Sequence, residues 1–452
     1  MLEEKLQDSC GVFGVFNSEK AAEEAYLGLY SIQHRGQSGT GIAVSDGEEI
    51  MSITGIGKVN DVFEKGARTE KLKGRNAIGH NLHSRKENLT QNECQPRIAD
   101  CRLGQIAGSM NGALTNGKEI RAQLEEKGLI FSSGEDIETI IHLIARSKRQ
   151  EEHASILDAL STAEGAYSIL FLTKDALYAA RDHKGKRPLV LGKKAESYFL
   201  SSETCALDIV GAEAVREIMP GEMIRIENTG IHEFTIPKFD KEERVSKCSY
   251  EHIYISRPDS KVFGCSVNQI RRELGRELAR QHPAIGADIV IDMPDSGKYA
   301  ALGYSEESGI KYDAGLIRNH YVDRMISMED SQKDLHARIK FNVIDEVIKG
   351  KSVVVVDDSI LNATTIKRVI SMIRRVDPSA IHLRISSPKI TKNCIYGVDM
   401  PPEDTLIANR MESTEKIREY LKVDSLGYLS TNNLQEKLGK EYCMKCFGNT
   451  PV

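Results

Sequence analysis

The stretch "VVVVDDSILNATT" (353–365) runs four valines into two adjacent carboxylates, Asp357 and Asp358, then sets Ser359, Thr364 and Thr365 within the next seven residues. An apolar run of this kind predicts a buried strand, and the polar residues after it predict a turn into the helix "TIKRVISMIRR". In a parallel sheet, ligands bind beyond the carboxyl ends of the strands. Backbone N–H groups and hydroxyls at a helix start suit a phosphate. Two carboxylates beside such a cradle are repulsive unless they hold sugar hydroxyls or stabilise positive charge developing at a sugar carbon. The pattern points to a phosphorylated ribose; the plainer reading is a surface turn whose Asp and Thr only cap a helix.

Two cysteine patterns could also do chemistry. Cys10 stands immediately before "GVFGVF" (11–16). If residues 1–9 are removed as a propeptide, Cys10 becomes the first residue, and its own α-amine, with a reference pKa of roughly 7.7–8.0, can act as base for its thiol. The plainer reading is a small buried cysteine at a strand start. "CMKC" (443–446) is a C-x2-C pair, a moderate metal signal that needs two further ligands. The nine cysteines, at 10, 94, 101, 205, 248, 265, 394, 443 and 446, fit free thiols, a nucleophile or metal ligands better than a disulfide framework.

The elements that must position these groups change character along the chain. The first half predicts short strands at 11–16, 166–172, 176–181 and 223–234, with helices near 20–33 and 136–147, the second carrying Ile137, Ile140, Ile141 and Ile144 at helical spacing. After the proline and charge run of "TIPKFDKEERVSK" (235–247) the pattern becomes helix 267–281, strand 287–293, helix 297–309, strand 353–358, a helix, and strand 380–387. Alternating helix and apolar strand predicts a parallel α/β sheet, with a boundary near 238.

The chain's 452 residues suffice for two or three domains. No run approaches the roughly 18 apolar residues of a spanning helix, and "MLEEKLQDSC" lacks the layout of a secretion signal, so a cytoplasmic protein with no membrane partner is expected. Net charge is −5 and the basic residues are dispersed, which argues against a nucleic-acid surface.

In residue detail, "VVVVDDSILNATT" resembles the phosphoribosyl pyrophosphate (PRPP) motif of type I phosphoribosyltransferases and, among these, of the amidophosphoribosyltransferase family; "YISRPDS" (254–260), "MPDSGKYAALGYSEESGIKYDAGLIRNHYVDR" (293–324) and "RIKFN" (338–342) match the same family in the same order. "CGVFGVF", "QHRGQ" and "MNGALTN" resemble the class II glutamine amidotransferase domain, an N-terminal nucleophile fold fused to the transferase in that family. The resemblance implies an α/β architecture: an αββα glutaminase domain over 10–237, a phosphoribosyltransferase domain with a parallel sheet over 238–425, and a C-terminal segment over 426–452. It implies glutamine-dependent amination of PRPP to 5-phosphoribosylamine in purine biosynthesis, in a homo-oligomer inhibited by purine nucleotides.

Residue by residue, the resemblance gives Cys10 attack on the glutamine amide, Asn111 and Gly112 the oxyanion hole, and Arg35 and Asp136 the orientation of the glutamine backbone. Asp357 and Asp358 would contact the ribose hydroxyls, with Ser359, Thr364 and Thr365 around the 5′-phosphate. Asp295 and Ser296 would lie on the pyrophosphate side, Arg338 and Lys340 on a closing loop, and Mg²⁺ would bridge the pyrophosphate. Cys248 and Cys394 join Cys443 and Cys446 as the four ligands of a [4Fe–4S] cluster in the iron–sulfur branch; zinc accepts four thiolates too.

The chain departs from the family at four places. Leu82, in "GHNLHSRKENL" (79–89), stands where the family has an arginine gripping the substrate carboxylate, with Arg85 and Lys86 nearby as substitutes. Met110 replaces the histidine before Asn-Gly, Ala363 replaces a glycine able to take positive φ, and Asp323 adds charge at a glycine position. A divergent paralogue using free ammonia or another donor, and a non-catalytic ligand-binding homologue, therefore stand as alternatives.

Overall fold

The computed structural model describes residues 10–84, 88–237, 244–319 and 341–448. In the front half, two antiparallel sheets face each other. The seven-stranded sheet runs Glu213–Glu217, Val190–Lys194, Ser197–Ser201, Gly11–Phe16, Asn76–Leu82, Gly39–Ser45, Ile50–Ile56. The six-stranded sheet runs Gly230–Thr235, Glu222–Glu227, Leu177–Arg181, Gly165–Leu172, Gly104–Leu114, Arg97–Cys101.

Because strand side chains alternate between faces, "GVFGVF" serves two cores. Val12 and Phe16 meet Leu170, Leu177 and Ile224 of the other sheet, whereas Phe13 and Val15 pack under helix Ala21–Ser31. The outer face of the six-stranded sheet is covered by helices Asp136–Arg146 and Glu152–Thr162. The layers are α, β, β, α, as expected. The segment 223–234, expected as one strand, is a hairpin of Glu222–Glu227 and Gly230–Thr235; Gly230, at φ +127°, supplies the turn conformation.

The back half holds a parallel sheet in the order Ile289–Asp292, Ser352–Asp357, Ala380–Ile385, Ser425–Tyr428. The valine run is explained by burial of both faces. Val354 and Val356 point toward Leu274, Leu278 and Ala301 of helices Val267–Gln281 and Lys298–Ser308. Val353 and Val355 point toward Ile366, Val369 and Ile373 of helix Thr364–Arg374. The expected segment start at 426 cuts the edge strand Ser425–Tyr428, which belongs to this sheet. The boundary near 238 and the propeptide 1–9 fall outside the described residues. Among the described residues, no helix is long and apolar enough to cross a membrane.

Candidate active site

Cys10 sits at the head of strand Gly11–Phe16, where Gly11 pairs with Asn81. Its Sγ accepts the N–H of His83 at 3.5 Å, and its carbonyl accepts Arg35 Nε at 3.2 Å. Burial pushes the thiol up to about 11; the His83 N–H and Arg187 oppose that rise, and Glu135 adds to it. A thiol held this high is a poor nucleophile at neutral pH unless a base takes its proton.

Asn111 lies in the facing sheet, one residue beyond Met110, whose carbonyl contacts His80 Nε2 at 3.0 Å across the inter-sheet space. The Asn111 side chain is wholly buried, yet neither its oxygen nor its nitrogen has a hydrogen-bond partner among the described residues. An orphaned buried amide is unfavourable by about 1–3 kcal/mol, so it is a donor waiting for an acceptor. Gly112 has φ +133°, and a Cβ there would lie 1.9 Å from the Ala166 carbonyl oxygen, so no other residue fits. Asp136, in the first turn of its helix, accepts the Leu114 N–H at 2.8 Å; burial raises its carboxyl.

Arg35 requires a correction. Its guanidinium is fully buried, and all three nitrogens donate within the protein: Nε to Cys10, Nη1 to Glu203 at 2.7 Å and Glu251 at 3.0 Å, and Nη2 to Glu251 at 2.8 Å. Burial works against its charge, but the two carboxylates overcome that and stabilise it. It holds the backbone of Cys10 in place and is closed to a substrate. Leu82 is buried at 3% exposure, so position 82 offers packing and no cation. Met110 likewise packs into the core with Ile137 and Ile141. Arg85 and Lys86, the expected substitutes, lie outside the described residues.

In the back half, Asp357 closes strand Ser352–Asp357 and Asp358 comes next, both buried. Asp357 Oδ1 accepts the Asp358 N–H at 2.9 Å, and Ser359 Oγ donates to Asp358 Oδ1 at 2.6 Å. Thr364 and Thr365 open the next helix, and Ala363 before them takes φ +71°. That left-handed conformation, the one a glycine would supply, is unfavourable for alanine by roughly 1–2 kcal/mol.

Asp295 and Ser296 lie beside the same strand end: Met293 N–H donates to the Val356 carbonyl at 2.9 Å, and a Cβ on Gly297 would meet that oxygen at 2.3 Å. The structure thus brings Asp295, Ser296, Asp357, Asp358, Ser359, Thr364 and Thr365 to one sheet edge. Arg318, which sequence reasoning missed, pairs with Asp295 at 2.9 Å; it is an ordinary strand residue in the sequence. Arg338, Lys340 and Asp323 lie outside the described residues.

Cys248, Cys394, Cys443 and Cys446 line one cavity of about 320 Å³. Cys248 and Cys443 are opposite each other in a short parallel bridge, and the Tyr396 N–H donates to Cys394 Sγ at 3.3 Å. Burial pushes Cys248 up to about 12, and burial together with the other three thiols pushes Cys446 well upward. Lys186, Arg187, Lys392 and Lys445 share the lining. Among the described residues, no three His, Cys, Asp or Glu side chains stand close enough to share one metal ion. Four thiols around one cavity are a donor set that either a [4Fe–4S] cluster or a zinc ion accepts.

Residues 83–208 match a family described as "Glutamine amidotransferase domain". The chain is 42% identical to amidophosphoribosyltransferase 1, chloroplastic, of Arabidopsis thaliana, covering 100% of this chain and 80% of that one. It is 39% identical to the amidophosphoribosyltransferase of Bacillus subtilis, covering 98% and 94%. A solved structure of glutamine PRPP amidotransferase from B. subtilis, complexed with ADP and GMP, superposes with a TM-score of 0.91 at 39% identity, covering 98% of this chain and 97% of that one.

Proposed function

The chain belongs to the amidophosphoribosyltransferase family, an N-terminal nucleophile glutaminase domain followed by a phosphoribosyltransferase domain, and from that premise we propose how its residues divide the work. The reaction is glutamine-dependent amination of PRPP, giving 5-phosphoribosylamine, glutamate and pyrophosphate, the first committed step of purine biosynthesis.

Cys10 attacks the side-chain amide carbon of glutamine, with its own α-amine taking the thiol proton once residues 1–9 are removed. The raised thiol makes that base necessary. The oxyanion is held by Asn111 Nδ2 and the Gly112 N–H, and the protonated base returns its proton to the departing ammonia. Water hydrolyses the thioester to glutamate. Asp136 holds the substrate ammonium.

In the second crevice, Asp357 and Asp358 hold the ribose hydroxyls, and Ser359, Thr364 and Thr365 hold the 5′-phosphate at the helix start. As pyrophosphate leaves, the two carboxylates stabilise the positive charge at the anomeric carbon, where ammonia bonds and then loses a proton. Asp295 and Ser296 face the leaving group, with Arg338 and Lys340 from the segment beyond. Bound Mg²⁺ supplies neutralisation of the pyrophosphate charge. Cys248, Cys394, Cys443 and Cys446 would hold a [4Fe–4S] group that ties the C-terminal segment to both domains and supplies structure, not chemistry.

The observation that carries this reading is the buried Asn111 amide, without a hydrogen-bond partner among the described residues, in the sheet facing the head of the Cys10 strand. Purified, processed protein should release pyrophosphate from PRPP in step with glutamate from glutamine, and Cys10→Ala should abolish both with glutamine as donor. Activity surviving that substitution contradicts the reading.

Leu82 favours a second reading. With position 82 apolar and Arg35 engaged internally, glutamine is gripped weakly and ammonia serves as well. Equal rates with either donor at matched low concentration would support it. Purine nucleotide inhibition, a homo-oligomeric state and a cytoplasmic location complete the proposal; the B. subtilis relative was solved with ADP and GMP.

A further inference from the structure

The strand that carries Asn111 outruns one of its neighbours. Gly104–Leu114 pairs with Gly165–Leu172 as far as Leu114, whereas Arg97–Cys101 covers its other edge only as far as Gly108. Residues 109–114 therefore have an open edge, where each backbone group needs another partner or stays available. Pairs in an antiparallel ladder alternate between those that exchange hydrogen bonds and those that do not. Met110, Gly112 and Leu114 oppose Ile169, Tyr167 and Gly165, and they belong to the second kind. The Met110 and Leu114 N–H groups donate to side chains, while Tyr167 donates its N–H to Asp182 Oδ2 and accepts the Asp182 N–H at its carbonyl. The Gly112 N–H thus turns to the open edge, midway between two that are already taken.

Side chains fill that edge in a fixed order. Gln95, 3% exposed, accepts the Met110 N–H at Oε1, 2.8 Å away, and donates from Nε2 to Glu135 Oε2 at 3.3 Å. The next residue, Asp136, takes the Leu114 N–H. His80, fully buried, meets the Met110 carbonyl from the other sheet. Burial lowers its pKa to about 4, so the ring is neutral; because a carbonyl only accepts, Nε2 must carry the proton. Nδ1 is then a buried acceptor with no partner among the described residues, an arrangement unfavourable to stability. The imidazole is kept there, against that penalty, for its contact with Met110. Its strand also sets the register of the nucleophile: His80 opposes Val12, and Asn81 opposes Gly11, the residue after Cys10.

We propose that His80 and Gln95 are positioning residues for glutamine hydrolysis, an inference that rests on the assignment of the oxyanion to Asn111 and Gly112. By holding the carbonyl and the N–H of Met110, they fix the open edge so that the Asn111 amide and the Gly112 N–H stand ready when the tetrahedral adduct forms on Cys10. Neither side chain needs to touch the substrate. Loosening the edge displaces both donors together, and a displacement of about 1 Å is worth up to about 10²-fold in rate.

The full chain, processed at Cys10, is tested with glutamine and with the γ-aldehyde of glutamate. Cys10 adds to that aldehyde: the S–C bond forms as the carbonyl π bond opens, and the thiol proton ends on the new oxygen, which occupies the oxyanion position. His80→Leu and Gln95→Leu should each lower kcat for glutamine and weaken aldehyde inhibition roughly 10–100-fold, with little change in the glutamine KM. His80→Gln, whose amide nitrogen can reach the same carbonyl, should restore most of both. Alkylation of Cys10 by iodoacetamide, read by mass spectrometry, forms no oxyanion and should keep its wild-type rate, as should ammonia-dependent amination of PRPP, which reports the fold; if one leucine variant fails to fold, the other decides. Asn111→Ala is the reference. Should it weaken the aldehyde while the folded leucine variants behave like wild type, the proposal is overturned and the oxyanion assignment stands. Unchanged aldehyde affinity in Asn111→Ala overturns the assignment itself and the proposal with it. Slower alkylation in step with kcat, or a change confined to KM, also overturns the proposal.

Discussion

Arg35 and Glu251 meet 2.8 Å apart with no solvent exposure on either side chain, one from the glutaminase half and one from the transferase half. The same guanidinium reaches the carbonyl of Cys10, and Glu251 lies three residues after Cys248. A single buried cation therefore joins the backbone of the nucleophile to the second domain. Arg35→Met would leave buried Glu203 with His34 and buried Glu251 with Arg187 as their remaining counter-charges, at a cost on the order of 3 kcal/mol. Thermal and denaturant unfolding should show a large loss, and a change below about 1 kcal/mol would contradict this role.

The pair also sets a pH dependence. Despite burial, which raises them, Glu203 and Glu251 are held below their ordinary value of 4.5, Glu203 by His34 and Arg35, and Glu251 by Arg35 and Arg187. Carboxyls with depressed folded pKa values stabilise the fold above the unfolded pKa, and that stability is lost as pH falls toward the folded value. Unfolding midpoints should hold from neutral pH to about 5 and then fall steeply below roughly 4.3. In Glu203→Gln the slope below that point should be shallower; an equal slope contradicts the assignment.

Asn111→Ala removes the one side-chain donor assigned to the oxyanion. Glutamine hydrolysis should fall roughly 10²–10³-fold in kcat, with little change in KM, while ammonia-dependent amination is preserved. A change confined to KM would mean that Asn111 only binds substrate.

Leu82→Arg restores a cation at a position the chain fills with packing. A charge-assisted contact of roughly 1.5–3 kcal/mol should lower the glutamine KM tenfold or more. An unchanged KM in folded protein would show that another group already holds the carboxylate.

Ala363→Gly relieves the left-handed backbone before the Thr364–Thr365 helix start. The gain should be up to about 1 kcal/mol, since relief of strain exceeds the entropy of an added glycine. A lower KM for PRPP should accompany it; a loss of stability would contradict the strained backbone.

The legible parts of the sequence are the local ones. The valine strand is plain because each residue faces a core on one side or the other. Ala363 and its positive φ are foreseeable from a missing glycine. Arg35 escapes a sequence reading because its partner Glu251 is 216 residues away, and no local pattern announces a buried ion pair. The 223–234 hairpin reads as one strand because its turn, Asn228 to Gly230, lies inside an otherwise continuous pattern. His83, whose N–H reaches Cys10 Sγ, carries no signal because the contact is made by backbone.

Transfer of the nitrogen freed at Cys10 to the sugar crevice is the step that links the two proposed half-reactions, and amide-labelled ¹⁵N-glutamine tests it directly. With PRPP, Mg²⁺ and a low concentration of that donor, in the presence of unlabelled ammonium, the phosphoribosylamine should carry mostly ¹⁵N, and Cys10→Ala should yield only unlabelled product. A label diluted to the level of bulk ammonium in the wild-type reaction would contradict the account.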